Sequence, residues 1–156
     1  TTPILDLLWD SGLPIRQISV MVQREVADKL LASPADDAYG LLSFKCRYRA
    51  EAELEAVVPA EAFTPPPKVD SAFVHLRMRA EPPLPVRDEA LLLRMVRAAF
   101  LQRRKTLLNA LKGTAEPERL RPALEAEGLP MTIPGEALTV EQWIRLSNAC
   151  AARVGL

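Results

Sequence analysis

Apolar and polar positions alternate in three stretches of this chain and recur at helical spacing in most of the others. In residues 15–23, Ile18, Val20 and Val22 alternate with Ser19, Met21 and Gln23. β-Branched residues dominate, so the stretch predicts a strand. Met21 is apolar as well, which predicts burial on both faces, as in the middle of a parallel sheet. In residues 51–58, Glu51, Glu53 and Glu55 alternate with Ala52, Leu54 and Ala56, a strand with one wet face. In residues 71–78, Ala72, Val74, Leu76 and Met78 share one face, and Ser71, Phe73, His75 and Arg77 the other. The last two strands, joined by a stiff loop, suggest an antiparallel pair.

Helical spacing fills the gaps. Pro3 suits a first helical turn and Thr2 an N-cap. Ile4, Leu5, Leu8 and Trp9 then make a short amphipathic helix, which stops at Ser11-Gly12. Residues 23–32 carry Val26, Leu30 and Leu31 at helical spacing, residues 33–37 form a loop, and residues 39–49 read as a second helix. Pro82, Pro83 and Pro85 mark residues 79–87 as a linker. Everything beyond is helical. Asp88 caps a run through Phe100, a short helix covers 106–111, another covers 116–127, and Thr139 with Gln142 forms a capping box for a helix through Ala152. The expected division is an α/β part, residues 1–81, followed by a small all-α domain, residues 87–156. With three strands, the first placed as if mid-sheet, the α/β part reads as the second half of a doubly wound fold without its beginning.

Residues 62–71, AFTPPPKVDS, join the second and third strands. Pro65, Pro66 and Pro67 fix their own φ, remove three donors and extend the residues before them. Phe63 stands at the entrance and Lys68 at the exit. Spacing alone favours a tight connector with Phe63 tucked into the core; the other reading is a binding loop presenting one aromatic ring.

Composition narrows the chemistry. The chain of 156 residues is 49% hydrophobic, with 20 basic and 20 acidic residues, so it is globular and carries no global excess of positive charge. Any polyanion contact rests on local clustering. Arg94, Arg97, Arg103, Arg104 and Lys105 supply such a cluster, with no acidic residue between Ala90 and Lys112. It reads either as a phosphate-attracting surface or as a solvated helix face. Cys46 and Cys150 are expected to be buried free thiols in a reducing cytoplasm. His75, the one histidine, has no partner at catalytic or ligand spacing, and no metal site is expected. There is no membrane-length apolar run, P-loop, HExxH, GxSxG or Gly-rich strand-to-helix fingerprint. Spacing alone yields no complete catalytic site.

The segments MVQREVADKL, AYGLLSF, PAEAFTPPPKVDSAFVHL and AFLQRRKTLLNAL follow one another in the order and spacing of the KsgA-type small-subunit rRNA adenine dimethyltransferases. This resemblance covers nearly the whole chain. It implies the C-terminal half of a Rossmann-like methyltransferase sheet followed by the helical domain. It also implies an S-adenosylmethionine-dependent enzyme of ribosome biogenesis, cytoplasmic, dimethylating two adjacent adenines near the 3′ end of small-subunit rRNA. Phe63 matches the aromatic expected to stack on the target adenine, flanked by Pro65 and Pro66. Lys68, Arg103, Arg104 and Lys105 match RNA contacts, with the helical part docking on the small ribosomal subunit.

The family's N-terminal half has no counterpart in the chain. The Gly-rich cofactor loop and the Asn-Leu-Pro-Tyr motif are expected upstream of Thr1. No cofactor-binding residue is therefore assigned, no catalytic set is complete, and the chain is expected to be inactive alone. The alternatives are a large-subunit rRNA adenine methyltransferase of the antibiotic-resistance type and a non-enzymatic RNA- or ribosome-binding module. The run QRRKTL and the long helical part favour the small-subunit type.

Overall fold

The computed structural model describes residues 2–151. The chain divides into two compact units, Thr1–Glu81 and Pro82–Leu156. The first contains α1 (Thr2–Asp10), β1 (Gln17–Gln23), α2 (Arg24–Leu31), α3 (Leu41–Arg49), β2 (Ala50–Val58) and β3 (Ser71–Met78). The Thr2 side chain, expected as an N-cap, lies outside the described part.

The three strands form one sheet in the order β1-β3-β2, with β3 antiparallel to both neighbours. β1 and β2 therefore run parallel to each other, connected through α2 and α3, with β3 between them. This corrects the sequence expectation for β1. The apolar pattern predicts a mid-sheet strand buried on both faces, yet within the described residues β1 is an edge strand, and Met21 is 43% exposed. Its alternation settles the matter: Val22 is buried and Ile18 and Val20 pack on the core, while Gln17, Ser19 and Met21 share the opposite face.

The inner face of β3 carries Ala72, Val74 and Leu76, all fully buried. They pack with Leu5 and Trp9 of α1, Val22, Ala27 and Leu30, and with Cys46 and Ala50. Full burial of a side chain the size of Val74 or Leu76 stabilises by about 1.5–3 kcal/mol. Ion pairs tie α1 to α3 at its rim, Lys45 to Asp6 at 3.1 Å and Arg49 to Asp10 at 3.5 Å. Arg47 donates from Nε to Ala32 O at 2.9 Å and from Nη2 to Leu31 O at 3.3 Å, satisfying carbonyls at the end of α2. Buried Ser43 accepts from Gly40 N–H and donates to Lys29 O, linking α3 to α2.

A bulge interrupts β2. Glu53 pairs with His75 and Leu54 with Val74, but Ala56 then pairs with Phe73, leaving Glu55 as the extra residue. The expected strict alternation of 51–58 fails at this point. Ala56 shares the outer face with Phe73, and Val57 turns towards the side of Ala72.

The second unit contains α4 (Glu89–Leu101), α5 (Leu107–Ala110), α6 (Pro117–Ala126) and α7 (Val140–Cys150). The expected caps form. Leu91 N–H donates to Asp88 Oδ1 at 3.0 Å, and Thr139 and Gln142 make the reciprocal capping box. α7 ends at Cys150; Ala152, its expected end, lies outside the described residues. Leu91, Leu92, Met95, Val96 and Ala99 of α4 are buried, as are Trp143, Ile144 and Leu146 of α7. At Gly135 the backbone comes so close that an added Cβ would lie 2.7 Å from Ala99 Cβ and 3.1 Å from Trp143 Cζ2. Gly135→Ala is thus expected to destabilise the helical unit by about 1–3 kcal/mol through overpacking. Urea titration followed by Trp fluorescence checks this, and an unchanged midpoint would show that the backbone can give way.

Candidate nucleic-acid interface

The proline loop runs from Pro59 to Asp70 at one end of the sheet. Its entrance is a 3₁₀ turn, Ala60–Ala62, in which Phe63 N–H donates to Ala60 O at 3.2 Å. Thr64-Pro65 is a cis peptide. Pro65, Pro66, Pro67 and Lys68 are exposed. Phe63 is half-buried and does not pack on the core cluster beneath the sheet.

The loop's two ends are joined by a residue to which the sequence reading gave no role. Asp70 Oδ1 accepts the N–H of Ala60 at 2.9 Å. The Asp70 carbonyl accepts the N–H of Arg24, the first residue of α2, at 2.9 Å. Asp and Asn commonly satisfy backbone donors near turns, so an Asp at a loop exit was a usable signal. Its partner, ten positions upstream, was not visible in the sequence.

The basic cluster lies in the other unit, at the turn between α4 and α5. The turn is closed by Lys105 N–H donating to Gln102 O at 3.0 Å and by Gln102 Nε2 donating to Ala110 O at 3.3 Å. Arg103 faces Glu136 at 3.9 Å, and its guanidinium sits 5.5 Å from the centre of the Phe100 ring. Arg104 and Lys105 are exposed, and their side chains form no ion pair among the described residues. Arg94 and Arg97 are exposed on α4, and Leu101 beside them is 79% exposed. The predicted residues thus form two groups, Phe63, Pro65, Pro66 and Lys68 on one loop, and Arg103, Arg104 and Lys105 on one turn.

His75 has partners that spacing missed. Ser19 Oγ lies 3.0 Å and Glu55 Oε1 3.7 Å from its Nδ1. A nucleophilic triad needs the two partners on opposite ring nitrogens. Here both address the same nitrogen, so the group clamps three strands together on the outer face. Among the described residues no cluster of His, Cys, Asp or Glu could hold a metal ion. No helix there is long and apolar enough to cross a membrane.

Residues 1–152 match the family profile described as ribosomal RNA adenine dimethylase. The chain belongs to this family. It is 44% identical over 154 residues to ribosomal RNA small subunit methyltransferase A of Geobacillus thermodenitrificans, covering 96% of the chain and 53% of that protein. The protein of the same name from Lachnoclostridium phytofermentans is 42% identical over 152 residues, 95% of the chain and 52% of the relative. The chain thus spans about half the length of the curated relatives it matches.

Among solved structures, the fold is similar to a dimethyladenosine transferase from Plasmodium falciparum, with a TM-score of 0.74 at 21% identity, covering 94% of the chain and 61% of that one. It is also similar to the 23S rRNA methyltransferase ErmE, with a TM-score of 0.70 at 27% identity, covering 94% of the chain and 59% of that one. The α/β unit is accordingly the C-terminal part of a Rossmann-like methyltransferase.

The family uses S-adenosylmethionine, and the described residues do not fit a cradle for it. β1 passes directly into α2 at Gln23-Arg24, and no described glycine lies on a strand-to-helix turn. A phosphate- or nucleoside-binding strand–Gly–helix corner of the usual kind is therefore not formed by these residues.

The thiols differ more than expected. Cys46 is buried, and burial pushes its thiol up to about 12 against the opposing pull of Arg47 and Arg79. Cys150 is only half-buried; burial raises its pKa too, opposed by Arg119. Iodoacetamide at pH 8 is expected to modify Cys150 well before Cys46 in the folded chain, as read by peptide mass mapping. Equal rates would contradict the burial of Cys46. The folded Cys46 keeps its proton where the unfolded thiol, near 9.0, loses it. Its contribution to stability is present below about pH 9 and lost as pH rises towards 12.

Proposed function

We propose that this chain is the target-base and rRNA-docking part of an S-adenosylmethionine-dependent rRNA methyltransferase. Its substrate is the pair of adjacent adenines near the 3′ end of small-subunit rRNA, and its setting is cytoplasmic ribosome biogenesis. The observation that carries the reading is the proline loop with Phe63 at its entrance, pinned at its mouth by the Asp70–Ala60 bond, in a chain whose curated relatives bear the small-subunit methyltransferase name.

An enzyme that modifies a base must take it out of the stack and hold it by its faces and edges. Phe63 supplies a π-face, and Pro65 and Pro66 wall the space beside it without side-chain freedom to lose on binding. Lys68, directly after the third proline, offers a cation for the neighbouring phosphate. In the helical unit, which we assign to subunit docking, Arg104 and Lys105 are the open cations, extended by Arg94 and Arg97. Arg103, held by Glu136 and Phe100, fixes the turn that presents them. Such contacts give affinity and orientation with little sequence information. S-Adenosylmethionine supplies the methyl group in this family.

Base–aromatic stacking is worth about 1–3 kcal/mol. Phe63→Ala is therefore expected to weaken binding of a short single-stranded RNA carrying 2-aminopurine by roughly that amount, read as lost fluorescence quenching. Phe63→Trp should keep it. Equal quenching by the wild-type and Phe63→Ala chains would remove Phe63 from the site. The paired change Arg104→Ala and Lys105→Ala should weaken small-subunit binding and reduce the slope of log affinity against log salt by roughly 1 per lost phosphate contact. An unchanged slope would show that these cations do not meet phosphate.

A further inference from the structure

The prolines stiffen the interior of the loop, but they do not set its direction relative to the sheet. That is decided at its mouth, where three chain segments meet. Ser71 pairs with Gln23 of β1 and with Val58 of β2. One residue earlier, Asp70 accepts Arg24 N–H through its carbonyl and Ala60 N–H through its carboxylate, both at 2.9 Å. Ala60 in turn accepts the N–H of Phe63. A continuous line of hydrogen bonds thus runs from the first residue of α2, through Asp70 and Ala60, to the backbone of Phe63.

We propose that Asp70 is the positioning residue of the base platform. It touches no base itself; it fixes the 3₁₀ turn that aims Phe63. This rests on the reading of Phe63 as the stacking residue. The carboxylate is suited to the task because an ionised acceptor makes a stronger bond to a backbone N–H than a neutral one. The Asp70 carbonyl is held by α2, and Ser71 directly after it pairs with both neighbouring strands, so the entrance of the loop is referenced to the sheet. Without the Ala60 bond, the carboxylate link between the loop's entrance and its exit is lost, and the two are joined there through the intervening chain.

The experiment uses the 156-residue chain, amide exchange by NMR, and quenching of the 2-aminopurine RNA. Asp70→Ala should accelerate exchange at Ala60 about tenfold or more and reduce quenching towards the level of Phe63→Ala. Asp70→Asn keeps the acceptor oxygen and should restore both. Ala60→Pro removes the donor instead. The site accepts proline, since Pro59 is extended at ψ 151 and a 3₁₀ turn begins at Ala60. It should lose quenching to the same extent as Asp70→Ala, and the double variant should be no worse than either single one, because the two changes delete one bond. Where Asp70→Ala fails to fold, Ala60→Pro carries the quenching test. Additive losses, or wild-type quenching by Asp70→Ala or Ala60→Pro beside a silent Phe63→Ala, would overturn the proposal. Wild-type quenching by Phe63→Ala would instead remove the stacking reading. In that case exchange at Ala60 still decides whether Asp70 holds the loop, and unchanged exchange overturns it.

Discussion

The α/β unit depends on β3 lying between two strands that are parallel to each other. Being antiparallel to both, it has hydrogen-bonding partners along both edges. Its inner side chains, Ala72, Val74 and Leu76, sit at the centre of the core because helices α1, α2 and α3 supply the residues that cover that face. The connection from β2 into β3 must therefore reverse direction at the end of the sheet. The proline loop makes that reversal, so its location follows from the strand order. A stiff loop there rests on the best-buried strand of the unit.

The two surfaces differ in the physical contacts they offer. The loop offers shape and a ring face, with a single cation in Lys68. The turn after α4 offers charge in quantity, with an exposed Leu101 beside it. Ring stacking acts at contact range, whereas unpaired cations act over a distance set by salt, about 8 Å at physiological ionic strength. Arg103 marks the boundary between roles within one basic run. It is adjacent in sequence to Arg104, but it faces an acid and a ring of its own unit.

Local signals were well written in the sequence. The caps at Asp88 and Thr139 and the alternation of 71–78 depend on neighbours within a few positions, and each formed as expected. Signals that depend on distant partners were not readable. Met21 looked like a core residue because its type is apolar, yet its face is decided by the register with Phe73. His75 looked isolated because Ser19 and Glu55 reach it across two strand pairs. Phe63 could have been a core plug or a presented ring on spacing alone. What spacing could not show is the mouth of the loop, where Asp70 and Ala60 meet across ten positions.

The bulge at Glu55 gives the sheet an adjustable phase. Up to Leu54, β2 keeps step with β3, and beyond Glu55 it is one residue out of step with its own earlier half. The strand's last residues, which carry the chain into the loop, are thereby turned over relative to the pattern set by Glu51 and Glu53. Insertion or loss of one residue at that point would rotate the loop's entrance by half a pleat while leaving the pairing near α3 untouched. A single position outside the loop can thus retune the loop's aim without altering a residue of its proline sequence.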